Sequence, residues 1–347
     1  RPADPPTSAG PQPRLQIRQR LVGVDAARGA ALLGMIVLHA LYEVDAAGRP
    51  TWSYSLFSGR AAAMFALLAG VGIAFSTGRR RVRASEGVPT VVALLVRALL
   101  IGAIGLVLGG HDVVLESVVL PYYAIMFLLA IPLVFLPTWL IAMIGIVMAL
   151  GMPAASHALR PHLPEPSLAN PTFASLIDSP GALLIELSIT GFYPALPWMA
   201  YICAGLVIGR LNLTQVRTAV TLLVTGAVLT GATSAVSSIL LDRFGLAEIQ
   251  AAQPVSGLTA EETANLLVFG SDGTTPTSTW WWLAVNARHT STPVDLLSTG
   301  GIAIAVLGAL LLVSHLTRFT ELRWITNIVL VPLAAVGTMV LTLYAAH

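Results

Sequence analysis

The stretch VDAARGAALLGMIVLHA, residues 24–40, has the pattern of an apolar helix with ionisable groups at both ends. Asp25 and Arg28 are three residues apart, so they share one helix face and can pair. His39 comes eleven residues after Arg28, roughly 16 Å further along the axis at a rise of about 1.5 Å per residue. Ionisable groups inside a membrane span are costly, so these three residues are candidates for function. The structural alternative is that the pair fixes the helix end and His39 is an interfacial, hydrogen-bonded histidine.

The composition places the whole chain in a membrane. Hydrophobic residues make up 56% of the sequence and charged residues only 10%, whereas soluble domains carry about 25% charged residues. The fold class predicted from these values is an all-α polytopic membrane protein. Cys203 is the single cysteine, so an internal disulfide is excluded. No Cys/His cluster has metal-ligand spacing, and no phosphate loop, Rossmann fingerprint or basic soluble domain is present. We therefore predict neither a metal nor a nucleic-acid partner.

Apolar runs separated by polar segments predict about nine transmembrane helices. The expected helices are 21–41, 55–77, 90–109, 113–135 with a break at Pro121, 138–152, 192–209, 216–241, 293–314 and 325–345. Residues 1–20 are Pro-rich and polar, and they are expected to form a disordered cytoplasmic tail rather than a signal peptide. Residues 21–347 then form a single transmembrane domain with outer loops at 153–181 and 242–292. Thr259 with Glu262 predicts a capped short helix in the second loop.

Arginine placement sets the predicted orientation. All 19 basic residues are Arg, and four of them cluster within residues 79–83. With nine crossings and a cytoplasmic N-terminus, twelve arginines fall on the inner side and four on the outer side, while Arg28, Arg60 and Arg97 lie in spans. The positive-inside rule favours this orientation over its reverse. The 79–83 cluster is interpreted as a topogenic anchor, with cofactor-phosphate binding as the alternative.

This topology gathers several ionisable groups near the outer face. They are His39, Arg60, His111, Asp112, Glu116, Arg288, His289 and Asp295. Charged groups are expensive in lipid, so several of them are expected to converge on one polar cavity, although each alone also fits a solvated loop residue. His289 precedes a helix start marked by Thr292 and Pro293. Backbone N–H groups at such a start can hold an anion or a developing oxyanion.

Several segments resemble a known family. The segment DAARGAALLGM at 25–35 is followed by GRAAAMFALLAGVGIAFSTGRR at 59–80, with TGFYPALPWMAYICAGLVIGRL at 190–211 and GTMVLTLYAAH at 337–347. Together these resemble the bacterial membrane proteins related to heparan-α-glucosaminide N-acetyltransferase, over most of residues 21–347. The resemblance implies a multi-helix acyltransferase in which cytosolic acetyl-CoA donates its acetyl group to an acceptor across the membrane.

The chain departs from this family at positions that matter for chemistry. In the lysosomal member, an Asn ends the DxxRG helix and a catalytic His follows in the next loop. Here His39 stands at the Asn position, and residues 40–54 contain no His, with Pro50 where the second group falls. Arg60 also replaces an acidic residue near the start of the second helix. The catalytic role therefore passes to His39, to His289 from another loop, or to a different chemistry.

The resulting hypothesis is a transmembrane acyl-CoA-dependent acyltransferase. His39 acts as general base with a pKa kept near neutral by partial burial, and His289 or the N–H groups after it stabilise the oxyanion. Arg28 and Arg97 bind the phosphates of the donor. The supporting residues are Asp25, Arg28, Arg60, His111, Asp112 and Asp295.

The expected co-substrate is acetyl-CoA or another acyl-CoA, and the expected acceptor is a cell-envelope glycan, glycolipid or lipid-linked sugar. The resemblance places the chain in a bacterial plasma membrane, among membrane lipids, with a homodimer left open. The first alternative is a transporter or flippase for an anionic envelope precursor, in which Arg60, Arg97 and Arg288 bind cargo. The second is a non-catalytic membrane subunit. The absence of a visible internal repeat weighs against the transporter.

Overall fold

A computed structural model describes residues 21–111, 117–316, 324 and 326–347. The α-helices are α1 Val22–Ala40, α2 Trp52–Phe57, α3 Arg60–Ser76, α4 Gly87–Gly109, α5 Leu120–Leu133, α6 Thr138–Leu159, α7 Phe173–Asp178, α8 Pro180–Ile185, α9 Ala195–Arg210, α10 Val216–Leu240, α11 Leu246–Ala251, α12 Gln253–Ser256, α13 Ala260–Phe269, α14 Pro293–Leu316, α15 Val331–Thr338 and α16 Val340–Ala346. Single π-helical turns at Glu186–Thr190 and Leu241–Gly245 continue α8 and α10. The predicted tail 1–20 lies outside the described residues.

The protein is an all-α polytopic membrane protein. Six helical segments in the described part of the chain are long and apolar enough to cross a bilayer, and two bent helix pairs raise the number to eight. The helix α5 has 14 residues, fewer than the roughly 20 that an ordinary span needs. The count of nine crossings therefore stays a prediction. Apolar side chains of α4 such as Val92 and Leu99 are exposed, as expected for a surface that faces lipid.

Two opposite ends of the bundle are used below as reference points. The arginine-rich face comprises residues 77–86, 134–137 and 211–215, and the loop face comprises residues 41–51 and 252–292. On the arginine-rich face, Arg81 Nε donates to the Phe135 carbonyl at 2.6 Å and Arg210 Nη1 to the Leu136 carbonyl at 2.9 Å. Both carbonyls lie just after α5, where cations complement the negative end of the helix dipole. The positive-inside rule predicts that this face is cytoplasmic.

Close backbone contacts between glycines hold the main helix pairs together. Gly70 of α3 faces Gly205 of α9, and a Cβ on Gly205 would overlap the Leu67 carbonyl. Gly226 of α10 meets Gly301 of α14 in the same way. Small residues let membrane helices approach closely, which lipid-embedded packing requires because lipid tails are as apolar as the side chains.

The helix boundaries correct several sequence predictions. Pro121 lies in the first turn of α5 and does not break a longer helix, because a proline at that position loses no helical hydrogen bond. The helix α6 continues past Pro153 to Leu159, so the loop predicted at 153–181 begins later. The loop predicted at 242–292 begins with a helical extension of α10 that ends at Ala251. The predicted helix 325–345 is bent by 77° between α15 and α16.

Other local predictions are confirmed. Thr259 and Glu262 form the predicted capping box at the start of α13. Cys203 is a fully buried free thiol in the core, as its apolar surroundings indicated. Of the tryptophans at 280–282, Trp282 is buried in a small apolar cluster beside α11.

Candidate functional site

The start of α14 is stabilised by its own side chains. Thr292 Oγ1 accepts the backbone N–H of Asp295 at 3.0 Å, which confirms the predicted cap. The buried Asp295 carboxylate accepts the backbone N–H of Ser291 at 3.1 Å and the Thr299 hydroxyl at 2.9 Å. Asp295 therefore supplies the anion that this helix start attracts. The N–H groups of Ser291 and Asp295, which were expected to hold a developing oxyanion, are already occupied.

His289 is held in an unusual position just before this helix. Its φ of 55° lies in the left-handed region, which few residues other than glycine adopt. Its ring packs edge-to-face on Tyr193 with centroids 5.3 Å apart, and its Nδ1 is buried with no partner among the described residues. Desolvation and the nearby Arg288 charge lower the pKa of His289 to about 4. The imidazole is therefore neutral at pH 7 and can donate a hydrogen bond without carrying a charge.

A cluster of aromatic side chains connects His289 to the core of the helix bundle. Tyr193 packs edge-to-face on both Tyr122 and Trp198, with centroid distances of 5.5 and 5.2 Å. Trp198 Nε1 donates to Ser291 Oγ at 3.2 Å. Trp198 and Tyr201 are only 3% exposed. Trp198 lies in the first turn of α9, whereas Ser291 lies 93 residues further along the chain, so no local pattern indicated this contact.

Arg60 and Arg288 lie close together beside the Ser55 carbonyl. Arg60 Nη1 donates to the Ser55 carbonyl at 2.7 Å, and Arg288 Nη2 approaches the same oxygen at 3.4 Å. The Arg288 guanidinium also lies 4.5 Å from the centroid of the Tyr54 ring. Gly59, the residue before Arg60, lies against Arg288 and His289. The structure thus brings together four of the predicted residues, namely Arg60, Arg288, His289 and Asp295.

His39 is placed with the C-terminal helix instead. Its Nδ1 lies 3.1 Å from Nε2 of His347, and the two rings stack with centroids 5.3 Å apart. The His39 side chain is exposed, so the expected partial burial is wrong. The last turn of α1 ends at the loop face, and the end of α16 packs against it there. His111 is also exposed at the end of α4, and Asp112 and Glu116 lie outside the described residues.

A cavity of about 740 Å³ brings Arg28 and Arg97 together. Its walls come from α1, α3, α4, α5 and the C-terminal helices, and they extend from Phe75 near the arginine-rich face to Val119 and Tyr344 near the loop face. Arg28 forms the predicted pair with Asp25 at 2.9 Å. The Arg97 guanidinium lies 4.9 Å from the Phe127 ring centroid and has no carboxylate within 4 Å in the described part of the chain.

Comparison with known families agrees with this architecture. The family of the heparan-alpha-glucosaminide N-acetyltransferase catalytic domain matches residues 20–238. The chain belongs to this family. The matched region covers α1 to α9 and most of α10 and includes Arg28, Arg60 and Arg97, whereas His289 and Asp295 lie beyond it. No curated protein and no solved structure gives a significant match.

Membership in the N-acetyltransferase family supports acetyl transfer by a multi-pass membrane enzyme. The residues lining the cavity fit an acetyl-CoA donor, because two guanidinium groups suit phosphate recognition and the remaining wall is mostly apolar or aromatic. The described residues contain no group of three or more His, Cys, Asp or Glu side chains arranged to hold a metal ion.

Proposed function

We propose that the protein transfers an acetyl group from cytosolic acetyl-CoA to an envelope glycan, glycolipid or lipid-linked acceptor at the loop face. The observation that carries the proposal is the cavity containing Arg28 and Arg97, which extends towards both ends of the bundle. An arginine eleven residues into a span is costly in lipid. A bound polyphosphate would offset that cost, and the contact that the described residues give the Arg97 guanidinium is with the Phe127 ring.

The residues that line this cavity are assigned different roles. Arg28 and Arg97 would hold the donor phosphates, with Asp25 fixing the orientation of Arg28 through their 2.9 Å ion pair. Gly72 leaves room beside the Arg28 guanidinium, since a Cβ there would lie 3.2 Å from Nη2. Tyr344 lines the cavity near the loop face, and its ring also contacts His347. His39 is therefore two contacts away from the cavity wall.

Hydrogen bonds in this region favour a basic nitrogen on His39. The Tyr344 carbonyl can only accept, so His347 Nδ1, 2.7 Å away, must donate to it. A neutral His347 then accepts at Nε2, and His39 Nδ1 donates to it over 3.1 Å. This order leaves the lone pair of His39 on Nε2, which is the form that a general base requires.

The proposed reaction uses His39 and His289 in different roles. Acetyl-CoA supplies an activated thioester carbonyl, so that as the acceptor nitrogen or oxygen bonds to its carbon, the carbon–sulfur bond breaks and CoA leaves as the thiol. His39 Nε2 would take the proton from the acceptor and return it to the leaving sulfur. His289, with a pKa of about 4, is poorly matched to accept a proton at neutral pH. His289 is therefore assigned to hydrogen-bond donation at the developing oxyanion.

Titration calorimetry with acetyl-CoA tests the donor site. Purified protein in detergent should bind acetyl-CoA, and Arg97→Gln should weaken that binding by about 10- to 100-fold, because a hydrogen bond to a charged group contributes about 1.5–3 kcal/mol. Arg217→Gln removes an exposed arginine near the arginine-rich face and serves as the matched control. His39→Ala should bind normally. Equal binding by all variants, or none by the native protein, would reject the donor site.

The transporter hypothesis is the second candidate. The observation that supports it is that Arg60, Arg97 and Arg288 have no carboxylate within 4 Å among the described residues. A transporter would move an anionic precursor across liposomes without acetyl-CoA and would release no CoA thiol. Detection of free thiol that depends on an added acceptor distinguishes the two activities.

A further inference from the structure

Arg60 and Arg288 place two positive charges close together, and the transfer reaction proposed above gives this pair no role. The two guanidinium groups approach one carbonyl oxygen, that of Ser55, at 2.7 and 3.4 Å. Like charges this close repel each other, and the repulsion grows where water is partly excluded. Both side chains are half-buried, and Arg288 Nε is fully buried without a partner among the described residues.

Nearby carboxylates do not neutralise this pair. Neither arginine has a carboxylate within 4 Å in the part of the chain that the structure describes. The Asp295 carboxylate in the same region is already bound by the Ser291 N–H and the Thr299 hydroxyl. The pair thus carries an excess of positive charge beside His289.

Rigid packing keeps the two arginines in this position. Arg288 lies over the Tyr54 ring, and the Tyr54 hydroxyl donates to the Phe269 carbonyl at 2.6 Å. Gly270, at φ 87°, lies so close to the Arg288 backbone that a Cβ would overlap its carbonyl. Gly59, at φ 71°, lets α3 begin against Arg288 and His289. A site held from three segments is preorganised, which lowers the entropic cost of binding.

We propose that Arg60 and Arg288 form an oxyanion-binding subsite that selects an acceptor bearing a phosphate, sulfate or carboxylate group. Two guanidinium groups present planar sets of N–H donors that match such groups in bidentate geometry. This inference rests on the proposed function, because it assigns the subsite to the acceptor of the same transfer reaction. The acidic part of the acceptor binds the arginine pair at the loop face.

Binding of two matched sugars tests the subsite. The full-length protein, in nanodiscs of phosphatidylcholine, is titrated with glucosamine 6-phosphate and with glucosamine. The phosphorylated sugar should bind more tightly, and Arg60→Gln and Arg288→Gln should each weaken its binding by about 10- to 100-fold. Arg49→Gln, an exposed loop-face arginine paired with Asp45, is the control and should bind normally. Unchanged affinity in both subsite variants would overturn the proposal.

Two further arms separate the possible outcomes. Acetyl-CoA titration of the same variants should give native affinity, which shows that they are folded and that the donor site is intact. Arg-dependent sugar-phosphate binding without any acetyl-CoA binding would retain the subsite and reject the acetyltransferase. In nanodiscs containing phosphatidylglycerol, loss of sugar-phosphate binding would assign the oxyanion to a lipid headgroup, and retained binding would assign it to a glycan acceptor. Acetyl-CoA binding with equal affinity for both sugars would reject the subsite alone.

Discussion

His39 Nδ1 lies 3.1 Å from Nε2 of His347, so the first and last described helices of the chain meet at the loop face through two imidazoles. The rings are also stacked, with an interplanar angle of 15°. His347 in turn contacts Tyr344, which lines the cavity containing Arg28 and Arg97. This chain of contacts relates the proposed base to the proposed donor site, and it gives His347 a part that the sequence did not indicate.

Removing His39 should slow acetyl transfer. His39→Ala is expected to lower kcat by about 10²- to 10⁴-fold, the usual contribution of a general base. His347→Ala should lower kcat less, since it orients His39 and does not itself accept the substrate proton. The rate of CoA thiol release measures both effects. His162→Ala, an exposed histidine beyond α6, should keep the native rate. Full turnover by His39→Ala would show that another group is the base.

His289 should make stability depend on pH in a defined window. Its pKa is about 4 in the folded protein, against 6.5 for an unperturbed histidine. The unfolded chain therefore binds more protons between these values, and stability falls as the pH drops from 6.5 towards 4. His289→Gln should flatten this part of a plot of Tm against pH. His162→Gln should leave the native profile, and an identical profile for His289→Gln would contradict the buried neutral imidazole.

Asp295 should be important for stability. Asp295→Ala leaves the Ser291 N–H and the Thr299 hydroxyl without their acceptor in a buried site. The expected cost is about 1–3 kcal/mol for unsatisfied buried polar groups. Thermal unfolding in detergent should show a lower Tm. Asp178→Ala, at an exposed position on the short helix α7, should not shift it, and an equal Tm for the two variants would argue against the capping role of Asp295.

The packing of α3 on α9 should tolerate no added side chain at Gly205. Gly205→Ala places a Cβ against the Leu67 carbonyl, and overpacking of this kind costs about 1–3 kcal/mol. Gly231→Ala is the matched control, because a Cβ at that position of α10 meets nothing within 4 Å. Chemical denaturation of the two variants compares them directly. A destabilisation as large at Gly231 as at Gly205 would reject the Leu67 contact as its cause, because Ala favours the helix over Gly at both positions.

The sequence determined the features that depend on local patterns. Apolar runs of about 20 residues identify membrane helices whatever their neighbours are. The Asp25–Arg28 pair follows from helical spacing, and the caps at Thr259 and Thr292 follow from side chains that bond to N–H groups three residues away. Each of these interactions joins residues within one helical turn, so the sequence alone predicts them.

Only the tertiary structure decided which distant residues share a site. The sequence grouped His39 with His289 on topology, but helix packing placed His39 against His347 and His289 against Tyr193. The sequence also offered the helix start after His289 as an anion site, and the folded chain fills it with the Asp295 carboxylate. Contacts such as Arg60 with Arg288 join residues more than 200 positions apart. They depend on the rotation and tilt of whole helices, which glycine contacts set and hydropathy alone does not encode.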